Sequence, residues 1–214
     1  MVSRILLAFL ALAGLALAGC GGYGTVEQGR VIHYDKDKKI VTFLPNNEDN
    51  PQKAPNYRLP VHVFAMPTDP GEMGREPKSG QLRVNVDTAK KIISMYNPEK
   101  NVIEDIPFEL VENTTGVELR RRHPLVWDPA TRRARPFPQV NAEKKTVTVY
   151  SARQSQVTVL KLSDADFTRY KGDQWGAGDE VRIYYKEAGK MTAESPGKSL
   201  RFMNVTQTDI MRRR

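Results

Sequence analysis

Three segments of the chain read DKDKKIVTF (Asp35–Phe43), DTAKKIISM (Asp87–Met95) and NAEKKTVTV (Asn141–Val149). Each starts on Asp or Asn, passes two variable residues, reaches Lys-Lys and then enters a β-prone run; the starts lie 52 and then 54 positions apart. The arrangement predicts a strand, a tight turn and a strand. Asp or Asn at a turn start bonds its own backbone two residues on, and lysines keep the tip in water. Val, Ile, Tyr, Phe and Thr then suit a pleated, half-buried surface. The expected pairs are Gln28–Tyr34 with Lys39–Leu44, Gln81–Val86 with Lys91–Tyr96, and Phe137–Val140 with Lys145–Ser151. A third strand is expected after each pair, at Leu59–Met66, Val102–Val111 and Gln156–Leu162. Either an internal duplication or three ordinary lysine-rich hairpins accounts for the pattern.

No amphipathic pattern of helical period and useful length occurs, so the fold class is mainly β, built of antiparallel hairpins and small barrels. Two Pro- and Gly-rich stretches, Asn46–Asn56 and Pro67–Gly80, are expected as surface loops. The segment Asn113–Pro138 carries four prolines and suits a short hairpin around WDPAT. A boundary is therefore expected near Arg135, giving a β-rich domain at 28–135 and a second at 136–214. In the second, SDADFTRY offers an N-cap at Ser163 and acidic residues in a first helical turn. A strand at Glu180–Tyr185, a mobile loop EAGKMTAESPGK and a closing strand LRFMNVT follow. This order of elements, with the Gly-Asp turn before EVRIYY, resembles the small OB-like barrels of periplasmic proteins.

The N-terminus poses a different question. Arg4 is followed by the apolar run ILLAFLALAGLALA, which is shorter than the ~20 residues of a spanning helix and fits a secretory signal. It ends at Leu17-Ala18-Gly19-Cys20, which resembles the lipobox of bacterial lipoproteins. That resemblance implies cleavage of residues 1–19 and a lipid, including palmitate, on Cys20. Residues 20–27 then form a lipidated tether. Two or more acyl chains hold a protein stably on a membrane, whereas one does not. The implied address is exported and lipid-anchored, facing the periplasm, with the outer membrane favoured by Gly21. Cys20 is the chain's single cysteine, which excludes an internal disulfide and any cysteine-based metal site. The stretches GRVIHYDKDKKIVTF and GDEVRIYYKE…LRFMNVTQTDI are similar to an uncharacterised family of lipoproteins from sulfate-reducing bacteria, of about this length. That resemblance implies no catalytic residues.

Formal net charge is +8, or +7 once Arg4 is removed. The excess sits at Arg120, Arg121, Arg122, Arg132, Arg133 and Arg135, and at the terminal Arg212–Arg214. In an exported protein the expected partners are anionic lipid, an envelope polymer or an envelope protein, reached from a membrane anchor, and not nucleic acid. A solvated basic surface without a partner is the alternative.

Chemistry-bearing motifs are sparse. His33 and His62 fall on expected strands and would approach each other if those strands paired, yet two histidines fall short of the ligands zinc takes. No G-x-S-x-G, S-x-x-K or H-E-x-x-H occurs. Asp164, Asp166, Asp173 and Asp179 do not follow calcium-loop spacing and read as a helix cap and turns. Tyr150, Trp175, Tyr184, Tyr185 and Phe202, with Arg182 and Arg201, offer a stacking face for a flat ligand or sugar, although a barrel interior is the favoured place for most of these rings. Strand alternation, however, puts Tyr184 and Tyr185 on opposite faces. The candidate binding residues are the six connector arginines and Trp175. No catalytic residue, metal or cofactor is expected. The function expected is a non-enzymatic envelope binding or structural module. An envelope-polymer hydrolase with carboxylates between the two halves is the alternative.

Overall fold

The computed structural model describes residues 24–206 except 49, 51, 52, 54, 80–82, 121, 153 and 171. Cys20, the signal-like segment and the terminal arginines lie outside the described residues.

The chain is mainly β, with antiparallel hairpins and one short helix. Strand β1 (Thr25–Asp35) pairs with β2 (Ile40–Pro45), which pairs in turn with β3 (His62–Ala65). The second hairpin joins β4 (Arg83–Asp87) to β5 (Ile92–Asn97), and β6 (Val102–Pro107) adds to its edge. The single run expected over Val102–Val111 is two strands. Pro107 ends β6, and β7 (Glu109–Thr115) leaves for a different sheet. The WDPAT hairpin forms as β8 (Trp127–Asp128) and β9 (Arg133–Ala134). Next come β10 (Gln139–Asn141), β11 (Thr146–Ser151) and β12 (Gln156–Lys161), which with β7 make a four-stranded sheet. Helix α1 (Asp164–Arg169) starts at Ser163, whose hydroxyl accepts from the Asp166 amide. The closing strands are β13 (Glu180–Tyr185), β14 (Gly197–Lys198) and β15 (Arg201–Asn204).

One turn chemistry recurs six times. Asp35, Asp87, Asn97, Asp128, Asn141 and Ser151 each open a four-residue loop and accept a backbone N–H two or three residues on. The last loop residue in each case is left-handed: Lys39, Lys91, Asn101, Arg132, Lys145 and Ser155 have φ between 48° and 55°. In the three Lys-Lys segments the first lysine gives the backbone donor and the second takes the left-handed position. The loops at Asn97, Asp128 and Ser151 do the same without Lys-Lys, and the three Lys-Lys hairpins belong to three different sheets. A shared turn geometry is enough to account for the sequence similarity.

The expected boundary near Arg135 is crossed by strand pairing. The six-stranded sheet runs β14-β3-β2-β1-β13-β15, and β7 pairs with β12. The strands expected as one C-terminal OB-like unit thus divide between two sheets. The six-stranded sheet curls into a partial barrel around Val31, Val41, Phe43, Phe64, Val181, Ile183 and Phe202, all essentially without solvent contact. Its outer face gives Ile32 and Leu44 to a second core shared with β4–β6, β11, β12 and Trp175. Close approach at the junction requires glycine: a Cβ on Gly178 would lie 1.7 Å from the Val31 carbonyl oxygen. The 187–198 segment, expected as a mobile loop, docks on the barrel and ends in strand β14, which pairs with β3. Val63 N–H donates to the Met191 carbonyl, and Ala188 and Met191 pack on the core. Among the described residues no helix is long and apolar enough to cross a membrane.

Candidate binding cleft at the barrel mouth

Strand β1 outruns β2. Gly29 pairs with Pro45, where β2 ends, and the Gln28 carbonyl still accepts from the Asn46 amide at 2.8 Å, so Thr25–Glu27 project beyond β2 with β13 as their one strand neighbour. The chain leaves β2 through Asn46–Glu48 and returns through Arg58–Pro60 to start β3 at His62. The gap is a cleft of about 420 Å³ lined by Val26–Gln28, Pro45–Glu48, Arg58–Pro60, His62 and Arg182. It lies beside the mouth of the barrel.

Inward-facing residues of β1 alternate Thr25, Glu27, Gly29, Val31, so Glu27 is a carboxylate on the core side of its strand. It is satisfied there. The His62 Nδ1–H donates to Glu27 Oε2 at 2.7 Å, and the Tyr185 hydroxyl donates to Oε1 at 2.7 Å. An ionised carboxylate only accepts, which fixes both partners as donors. Burial alone would raise the Glu27 carboxyl, but the hydrogen bonds from His62 and Tyr185 outweigh it and the net shift is downward. Burial, with Glu27 second, pushes the Tyr185 phenol far up and keeps it a neutral donor. His62 also stands edge-on to Phe43, with centroids 6.0 Å apart, which limits its rotation. The mouth is therefore held in one arrangement by three side chains from β1, β3 and β13.

A second chain of polar contacts runs along the other face of β1. Arg182 Nε donates to Gln28 Oε1 at 2.8 Å, and Gln28 Nε2 donates to Glu180 Oε1 at 3.1 Å. Glu180 also accepts from the Tyr57 hydroxyl, and Arg30 lies 4.6 Å above the Tyr57 ring. Glu48 accepts from the Asn50 amide at 2.9 Å. Two cations of the cleft differ: Arg58 and Arg182 are exposed and make no ion pair among the described residues.

The residues expected from sequence fall elsewhere. Trp175 is corrected to a core residue: it is 0 % exposed, its Nε1–H donates to the Tyr170 carbonyl, and no ring face is left for a ligand. Tyr185 and Phe202 are likewise buried in the barrel. Arg122 stacks over Trp127 at 5.0 Å, and Arg135 Nε donates to the Pro124 carbonyl. Arg132 and Arg133 are exposed on the β8–β9 hairpin. Arg121 and the Arg120 side chain lie outside what is described. His33 is exposed on β1, opposite Thr42, and does not meet His62. No group of three or more His, Cys, Asp or Glu suited to a metal occurs among the described residues. A second cleft of about 360 Å³ lies at Arg30, Lys78, Phe137, Tyr150 and Asp179. Asp179 there accepts from the Lys78 amide and from Asn204 Nδ2.

The mouth network escaped sequence reading because Glu27 and Tyr185 are 158 positions apart. One readable signal existed: a glutamate at an inward position of an alternating strand.

A family model described as Domain of unknown function (DUF4881) matches residues 22–213. No curated protein matches the chain, and no solved structure matches it.

Proposed function

The chain belongs to the DUF4881 family of unknown function, and on that footing we propose that it is an exported lipoprotein, anchored through Cys20, that works as a non-enzymatic binding module of the cell envelope. Its binding site is the cleft at the barrel mouth. One observation carries this reading: among the described residues Arg58 and Arg182 make no ion pair, and they sit beside a glutamate already engaged by His62 and Tyr185. A site of that kind supplies donors to a hydrogen-bonding or anionic group while its own carboxylate is occupied. The position of the cleft adds support, since Val26 follows Cys20 by only six residues and the tether is short.

The test combines anchoring with capture. Cells carrying a photo-crosslinker at Arg58 should yield adducts with an envelope lipid, polymer or protein, from a palmitate-labelled protein in the membrane fraction. Cys20→Ser should leave the precursor uncleaved and unlabelled. Palmitate label persisting in Cys20→Ser would remove the anchor. Shortened envelope polymer that depends on Glu48 would replace the binding module with a hydrolase.

A further inference from the structure

The cleft, the tether and the surface charge meet at one end of the molecule. Gly24 is the first described residue after Cys20, and a Cβ on it would lie 3.2 Å from the Lys186 Cα. Four peptide units separate Cys20 from Gly24, a reach of at most about 14 Å. The hairpin at Asp35 is ten residues further along β1, about 33 Å away at strand rise. An acylated Cys20 therefore holds the barrel mouth, not the hairpin tip, against the bilayer surface.

That end is dressed for such a surface. Arg58, Arg182, Lys186 and Lys190 are exposed there and make no ion pair among the described residues. The carboxylates lining the cleft are engaged, Glu27 with His62 and Glu48 with Lys53 at 4.0 Å, and the adjoining loop adds Glu187 and Glu194 against these four cations. Two large apolar side chains on the cleft wall also face solvent: Val26 is 50 % exposed and Leu59 38 %. Apolar residues at the rim with basic residues behind them match the boundary between acyl chains and anionic headgroups. Guanidinium groups bind phosphate through paired N–H donors, and two of them border this cleft.

We propose that the barrel mouth docks on the membrane that carries the anchor, and that its cleft takes the phosphate of an anionic phospholipid headgroup. The proposal rests on the anchor at Cys20 and names the ligand of the cleft described above. Arg58 and Arg182 contact the phosphate, Lys186 and Lys190 the surrounding headgroups, and Val26 and Leu59 the outer edge of the hydrocarbon. Glu27 stays with His62 and Tyr185 and does not repel the ligand directly.

Hydrogen exchange on the lipidated mature protein tests this, in vesicles of phosphatidylcholine alone and in vesicles with added phosphatidylglycerol. Phosphatidylglycerol should slow exchange over 24–28, 57–62 and 182–190 by about fivefold or more, the effect of one basic residue's contact with an anionic surface. Arg58→Gln with Arg182→Gln should abolish the slowing with an unchanged near-ultraviolet spectrum, whereas Lys36→Gln with Lys38→Gln should keep it. Equal exchange in the two vesicle types overturns the docking, as does slowing confined to the Trp127–Arg135 hairpin. Slowing by inorganic phosphate over phosphatidylcholine would assign the cleft to a soluble anion instead. The mass of the N-terminal peptide separates the two levels: an acylated Cys20 without rim protection refutes the docking alone, and an unmodified Cys20 refutes both.

Discussion

The two ends of β1 carry opposite solutions to charge. At the hairpin end, Lys36 and Lys39 are bonded to Glu76, and Lys38 to Asp35, all at the surface. The Lys39 contact lowers the Glu76 carboxyl, and Glu76 in turn raises the Lys39 ammonium. At the mouth the arrangement inverts. The carboxylate goes inside, to His62 and Tyr185, and the cations Arg58, Arg182, Lys186 and Lys190 stay outside without carboxylates among the described residues. One strand thus has a neutralised tip and a polarised base. Ion pairs in water contribute little, whereas a half-buried carboxylate with two donors determines whether its surroundings can pack. The difference lies in burial and not in the number of charges.

Three perturbations sharpen that contrast. The largest effect belongs to the packing that both ends share. Trp175→Ala empties a fully buried site between the barrel and the outer sheets and should cost about 3–5 kcal/mol in denaturant unfolding. A loss under about 1 kcal/mol would mean the second core does not support the barrel. Next comes the mouth. Glu27→Ala strands the His62 and Tyr185 donors and should cost about 1–3 kcal/mol. The same side chain gives a pH signature. Its folded pKa lies below the ordinary 4.5, so its stabilisation is full above that pH and is lost as pH falls through the lower folded value. Unfolding midpoints followed through that acid range should drop more steeply for the wild type than for Glu27→Ala; parallel curves would break the assignment. The smallest effect is at the tip. Glu76→Ala removes the partner of two exposed lysines and should leave the unfolding midpoint where it is. A clear drop would erase the distinction between the two ends.

Much of the fold was legible locally. The hairpin starting on Asp35 was readable because Asp35, the Lys38 amide and Lys39 lie within five residues and set the turn by themselves. Helix α1 was readable for the same reason, through Ser163 and Asp166. The expected strand at Glu180–Tyr185 matches β13 residue for residue. The break at Pro107 was missed because apolar residues continue on both sides and only the choice of partner strand separates β6 from β7. Trp175 looked like a stacking surface because an aromatic near glycines reads the same whether it points in or out. Its burial is decided by Tyr170 and by strands far away in the chain. Of the candidate cleft, composition displayed only the inward glutamate; Arg58, His62 and Arg182 come together through pairings that no local pattern encodes.

By itself, the sequence determined the β class, the hairpin turns and the helix cap, since each follows from hydrogen bonds within a few residues. It also placed a cysteine motif six residues before the cleft begins. Tertiary structure alone decided which strands share a sheet, that β1 meets β13 across more than 150 residues, and that Glu27 finds His62 and Tyr185. Those choices are set by the burial of one barrel core and by the need of an inward carboxylate for two donors, and both depend on residues distant in the chain.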